Sequence, residues 1–219
     1  GAGWAPPERP PARGRRRAAA PPGRARPIIR GVSTISALTA ATRGGLPPPC
    51  VSCTFWQHDR VAVDERRKAA WADAADRRQG GFGRVMHEGP EFRGMVQYAP
   101  AELFPRALAL PAGPPGRDAA LVACSFLEGD DPGGVCERLL LEALADLKAR
   151  GATAVEAFAL RYPEEVGAAD RFLGHHTLFD RDLLERLGFS AVRSAGQVSL
   201  MRIALGGLAP GPGLVARAL

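Results

Sequence analysis

Apolar residues recur along the chain with two periods, and these periods predict an alternating series of strands and helices. Apolar positions 32, 35 and 37 predict a first strand over residues 32–39. The nearly unbroken apolar run over 119–127 predicts a central strand that is covered on both faces. The helical spacing of three leucines predicts a long helix over 133–150, which Gly151 should end; the leucines are Leu140, Leu144 and Leu147.

A second buried strand is predicted over 153–160, directly after the long helix. The remaining elements include a hairpin, with strands over 82–87 and 92–99 and a turn at 88–90. Three further helices are predicted over 64–78, 101–107 and 180–187, and two late strands over 192–193 and 197–205. A long helix between two buried strands indicates a right-handed crossover between parallel neighbours. We therefore predict an α/β (α+β) fold with a mixed, mostly antiparallel sheet flanked by helices.

Composition divides the chain into a basic tail and a mildly acidic remainder. The chain carries a net charge of +6, but residues 1–45 hold nine arginines against one glutamate, so the rest carries −2. The Pro/Arg-rich segment 1–31 should be disordered, because it has too little apolar surface to offset its conformational entropy. We expect a folded domain over 32–206 and a C-terminal tail over 207–219. The position of the charge argues against a nucleic-acid-binding domain, although a basic tail, a targeting peptide and a non-functional extension all fit residues 1–31.

The four cysteines do not suggest a disulfide framework, which suits a reducing compartment, and we expect a cytoplasmic protein. No apolar run is long enough to span a bilayer, so no membrane association is expected. Cys50 and Cys53 form a single C-x-x-C motif. Packing of this segment against the domain is the favoured interpretation, and a metal site or disulfide is the alternative. We predict no metal site.

Several short motifs resemble the GNAT superfamily of N-acetyltransferases. The stretch from Ala119 to Leu205 has that superfamily's order of elements, and Leu184 to Phe189 (LERLGF) is similar to its "YEKLGF" close. A narrower resemblance, to actinobacterial GNAT-like proteins, lies in the C-x-x-C-x-F-W segment at 50–56, in Lys68-Ala-Ala-Trp71 and in Gln97-Tyr-Ala-Pro100.

The resemblance implies that the chain binds acetyl-CoA as co-substrate at the start of the long helix. In GNAT proteins an R/Q-x-x-G-x-G/A loop offers backbone N–H groups to the pyrophosphate, and the helix adds its positive end. The pantetheine arm enters a splay between the two central strands. The corresponding cofactor-binding residues here are Leu127, Gly133, Gly134, Val135, Cys136 and Glu137.

This loop departs from the family pattern at three positions. Asp131 stands where Arg or Gln is usual, Asp130 precedes it, and Cys136 stands where Gly or Ala is usual. Two carboxylates disfavour a pyrophosphate beside them. One interpretation is that Asp131 is simply an N-cap and Pro132 the first helical residue, in a helix start that has lost its anion site. The alternative is that the two carboxylates point outward while the amides still bind the anion.

Three residues are candidates for the catalytic chemistry of such a transferase. Glu128 ends the central strand and could serve as the general base, or it is a solvated carboxylate at a strand end. His175, or its neighbour His176, is a second candidate base, or part of a surface loop. The family's acid is commonly a tyrosine where Leu184 stands, so Tyr162 is the candidate substitute, or a half-buried loop aromatic.

Two functions follow from this pattern. The first is acyl-CoA-dependent transfer of an acetyl group to a small-molecule or protein amine. The second is a GNAT-like regulatory or interaction module with weak or absent catalysis.

Glu156, which alternates with apolar neighbours, is expected to point into the cleft.

Overall fold

The computed structural model describes residues 32–60, 62–174 and 176–206. They form eight strands and six helices. The strands are β1 Ser33–Leu38, β2 Gly83–Glu88, β3 Glu91–Pro100, β4 Ala119–Leu127, β5 Ala154–Leu160, β6 Phe179–Asp180, β7 Ser190–Ala195 and β8 Val198–Ala204. The helices are α1 Pro48–Ser52, α2 Glu65–Gln79, α3 Pro105–Ala109, α4 Pro132–Ala149, α5 Ala168–Leu173 and α6 Arg181–Arg186.

All eight strands belong to one sheet, in the order β1-β2-β3-β4-β5-β8-β7, with β6 also paired to β5. Every pairing is antiparallel except β4 with β5 and β5 with β6. The parallel neighbours β4 and β5 are joined by α4, as the crossover predicts. The predicted mixed, mostly antiparallel sheet is therefore confirmed.

Apolar side chains cover both faces of this sheet. One face packs against α4 and α6, through a cluster that includes Val122, Leu140 and Leu184. The other face packs against α1, α2 and the 101–112 segment, through clusters that include Trp56, Phe104 and Ala72. This explains why β4 is apolar along nearly its whole length. No helix in the described part of the chain is long and apolar enough to cross a bilayer.

Most predicted elements agree with the structure to within a residue or two, and the exceptions are short. The single helix predicted over 101–107 is a 3-10 turn at Ala101–Leu103 followed by α3. The strand predicted at 192–193 extends over all of β7. The sequence did not predict α1, α5 and β6, because helices of five or six residues and a two-residue strand carry too little periodicity. The predicted tails, 1–31 and 207–219, lie outside the described residues.

The N-terminus of α4 has the local chemistry that the sequence predicted. Asp131 is its N-cap, and the Asp131 side chain accepts a hydrogen bond of 3.0 Å from the backbone N–H of Gly134. Pro132 follows at the first helical position, where a missing N–H costs nothing. Further along, Asp146 holds α4 to the sheet by accepting a 2.5 Å hydrogen bond from the Tyr98 hydroxyl and pairing with Arg84.

Replacing the cap should separate the contributions of its hydrogen bond and its charge to stability. We expect Asp131→Ala to lower the free energy of unfolding by about 1 kcal/mol, because the N–H of Gly134 loses its acceptor. Asp131→Asn should change it little, because asparagine also caps. Urea denaturation followed by circular dichroism measures both, and equal losses in the two variants would contradict the capping role.

Candidate functional site

The two central strands pair over only part of their length. Ala119 to Val122 of β4 lie opposite Ala154 to Ala157 of β5, and the parallel ladder then stops. Beyond it, the last residues of β5 pair with β6 instead. The C-terminal halves of β4 and β5 therefore diverge and leave a wedge between them, as the resemblance implied.

A bulge in β4 lies beside this wedge. Gln97 of β3 is opposite Cys124, whereas Tyr98 is opposite Val122, so Ala123 has no residue facing it. A bulge changes which face of the sheet the following side chains occupy. Consequently both Ala123 and Cys124 pack on the face that α1 and α2 cover.

The wedge is partly filled by the chain itself. The backbone N–H of Ser125 on β4 donates a 3.0 Å hydrogen bond to the carbonyl oxygen of His176. The His176 ring also lies against Phe126, with centroids 4.7 Å apart. In this conformation the segment before β6 thus uses a β4 amide at the point where the resemblance expects the pantetheine arm.

The glycines at the start of α4 are covered from two sides. The N–H of Gly134 is bonded to the Asp131 carboxylate, which occupies the place where a bound anion would accept it. A Cβ added at Gly133 would lie 3.1 Å from the ring of Phe172 in α5, so that ring sits directly over this turn. An anion would have to displace the Asp131 carboxylate to reach the N–H of Gly134, and the Phe172 ring lies beside the preceding glycine.

Arg93 on β3 supplies a cation beside this loop that the sequence analysis missed. Its guanidinium pairs with Asp130 at 2.9 Å and lies 3.7 Å from Glu88. The hydrogen bond to Asp130 raises the pKa of Arg93. Asp130 is 91% exposed at its side chain, so its charge is balanced by Arg93 rather than buried beside α4. The sequence offered no signal for this pair, because it joins positions 37 residues apart.

The predicted cofactor-binding residues differ in what they expose. The side chains of Leu127, Val135 and Cys136 are buried in the core cluster under α4, so only their backbone groups could contact a ligand. Burial raises the pKa of the Cys136 thiol to about 12, and that thiol is hydrogen-bonded to the Ser125 side chain. Gly133, Gly134 and Glu137 are half-buried at the helix start.

Two of the three predicted catalytic residues, Glu128 and Tyr162, follow the two strands that border the wedge. Glu128 directly follows β4 and is exposed, with its backbone N–H bonded to the Arg93 carbonyl at 2.9 Å. Tyr162 follows β5 and is half-buried; burial and the nearby charge of Asp180 raise its pKa. His175 lies outside the described residues.

Two further positions that the sequence singled out, Leu184 and Glu156, have contacts outside the wedge. Leu184, the position at which the resemblance implied a tyrosine, is fully buried in the core. Glu156 lies near the other end of β5, where it pairs with Arg202 at 2.8 Å and accepts the N–H of Gly116 at 2.7 Å. It therefore does not point into the cleft, contrary to the expectation from its alternation, because alternation fixes the face of a strand but not the position along it.

A cavity of about 220 Å³ adjoins the bulge on the α1–α2 face. Both residues of the C-x-x-C motif line it, together with Cys124. All four cysteines are unbridged thiols. Within the described residues, no group of three or more histidine, cysteine or acidic side chains has an arrangement that could hold a metal ion.

Comparison with known proteins gives a fold but no close relative. No protein-family model matches the sequence, and no curated protein matches it. Among solved structures, YncA of Salmonella typhimurium, named an acetyltransferase and determined with its cofactor acetyl-CoA, is similar with a TM-score of 0.50 at 16% identity; the match covers 82% of this chain and 98% of that one. The GNAT domain of S. lividans PAT has a TM-score of 0.50 at 17% identity, covering 80% of this chain and 91% of that one. The chain therefore has the GNAT fold.

Proposed function

We propose that the protein is an acyl-CoA-dependent N-acyltransferase that transfers an acetyl group from acetyl-CoA to a small-molecule or protein amine. The observation that carries this proposal is the divergence of β4 from β5 next to the glycine-containing start of α4, within a GNAT fold. Such a wedge gives an extended thioester arm access to strand amides that no neighbouring strand uses, and the helix end attracts its phosphates. We further propose kinship with the actinobacterial group that has the C-x-x-C-x-F-W segment.

The proposed reaction needs two proton transfers, one from the amine and one to the leaving thiolate. The acceptor nitrogen attacks the thioester carbonyl carbon, the C–S bond breaks, and CoA leaves as a thiolate. Glu128 or His175 takes the proton from the amine, and Tyr162 protonates the thiolate. The hydroxyl of Tyr162 is protonated at neutral pH and can donate, although its raised pKa makes it a weaker acid than an exposed tyrosine.

Binding of acetyl-CoA requires the α5 segment to move. Phe172 covers Gly133, and the His176 carbonyl holds the N–H of Ser125. Arg171 anchors this segment through its 3.4 Å contacts with Asp180 and Asp182 and a 2.9 Å hydrogen bond to the Val166 carbonyl. Opening would therefore cost affinity, which the phosphate and thioester contacts must offset.

A second candidate is a GNAT-like regulatory or interaction protein without catalysis. It is favoured by the same contacts of Phe172 and His176, which cover the helix start and the wedge. The Asp131 carboxylate satisfies the amide that a pyrophosphate would use, and Leu184 provides no proton.

Either function is compatible with a cytoplasmic setting, which we propose because all four cysteines are unbridged thiols. We do not propose nucleic-acid binding for the domain, since the arginine-rich segment lies outside the described residues.

Removing the charge of Asp130 should tighten acetyl-CoA binding. Asp130→Asn releases Arg93 to meet a phosphate and removes one repulsive carboxylate, so we expect the dissociation constant to fall about two- to fivefold. Isothermal titration calorimetry measures it. Asp73→Asn, which alters an exposed carboxylate on α2, is the matched control and should change nothing. Absence of binding heat in both the wild type and Asp130→Asn would contradict the proposed function.

Trimming the ring that covers the helix start should distinguish the two candidates. If the protein is a transferase limited by closure, Phe172→Ala should raise acetyl-CoA affinity, and release of CoA thiol with a panel of amines should exceed the buffer rate. Leu173→Ala, which trims the neighbouring side chain, controls for general loosening of α5. A stable Phe172→Ala protein that neither binds nor turns over acetyl-CoA would leave the non-catalytic function as the better account.

A further inference from the structure

The cavity beside the β4 bulge has a polar floor and mostly apolar walls. Lys68 of α2 and Gln97 of β3 are each only 1% exposed and lie at its inner end. Cys50, Met95 and Phe126 contribute apolar wall surface. Its outer rim includes the exposed residues Pro49 and His176. A volume of about 220 Å³ is below the roughly 300–1,000 Å³ of sites for drug-sized ligands, so the cavity suits a smaller molecule.

Lys68 brings a cation to this floor without an anion to match it. Its Nζ donates a 2.7 Å hydrogen bond to Gln97 Oε1 and lies 4.9 Å from the centroid of the Trp71 ring. Gln97 Oε1 also accepts from Gln57 Nε2 at 3.1 Å. Over residues 32–60, 62–174 and 176–206, no carboxylate forms an ion pair with Lys68. One neutral acceptor thus serves an ammonium that has three donors.

The neighbouring thiols do not supply the missing negative charge. Burial raises the pKa values of Cys50 and Cys124 to about 12, so both are protonated at neutral pH. Burial also lowers the pKa of Lys68, because removing an ammonium from water disfavours its charged form. A leucine or methionine would fill this position at lower cost if packing alone were needed.

We propose that this cavity binds a small carboxylic acid with an apolar body, whose carboxylate pairs with Lys68 while its body lies against Met95 and Phe126. The carboxylate meets the donors that Gln97 leaves unsatisfied, and a buried ion pair offsets the cost of burying the lone cation. The cavity shares Ser125 and His176 with the wedge. If the proposed function holds, the bound acid is the acyl acceptor and carries the reacting amine; this last step alone rests on that function.

The test compares acids with their neutral amides on the full chain. Titration calorimetry with hexanoate and phenylacetate should show saturable binding, and hexanamide and phenylacetamide should bind at least about tenfold more weakly. Lys68→Met keeps the side-chain volume and removes the charge, so it should abolish this preference. Lys148→Met alters the chain's other lysine, on the surface of α4, and should leave binding unchanged.

A second variant keeps the test decisive if Lys68→Met fails to fold. Cys124→Leu retains the cation but fills part of the cavity, and it should weaken acid binding at least about tenfold with the melting temperature as the check on folding. Equal binding of acids and amides, or undiminished acid binding in a folded variant of either kind, would overturn the proposal. Acetyl-CoA is absent from these titrations, so their failure is separate from failure of the proposed transferase function.

Discussion

The divergence of β4 from β5 is the constraint on which the rest of the site depends. Four pairs of residues hold these parallel strands together, and beyond them each strand must find other partners for its backbone groups. β5 finds β6, and the N–H of Ser125 finds the carbonyl of His176. The wedge is therefore both the feature on which the proposed acyl-CoA site rests and the reason why a segment of this chain lies across it.

The start of α4 shows how a helix end can satisfy its preference for negative charge without a ligand. The N–H of Gly134 needs an acceptor, and the Asp131 carboxylate provides one from three residues away. A departure from a binding motif is thus not simply a loss, since it can replace an external anion with an internal one. Asp130 has a different role, because Arg93 from β3 balances its charge at the exposed edge of the loop.

The cavity on the opposite face contains the reverse arrangement, a buried lysine that forms no ion pair with a carboxylate of the described residues. The sequence predicted the helix over 64–78, but it gave Lys68 no place beyond the Lys68-Ala-Ala-Trp71 motif. The fold buries it between α2 and β3, with Gln97 as its acceptor. The cavity and the wedge share Ser125 and His176.

The sequence by itself determined the order of the longer elements, the bounds of β4 and α4 to within a residue, and the cap at Asp131. These depend on short-range periodicity and on contacts between residues three or four apart, which sequence spacing records directly. Only the tertiary structure decided that Arg93 forms an ion pair with Asp130 and that Glu156 lies away from the cleft. The same holds for the position of Phe172 over Gly133 and for the burial of Lys68. Each of these joins residues that are distant in the chain, and their contact follows from strand register and packing, which local spacing does not record.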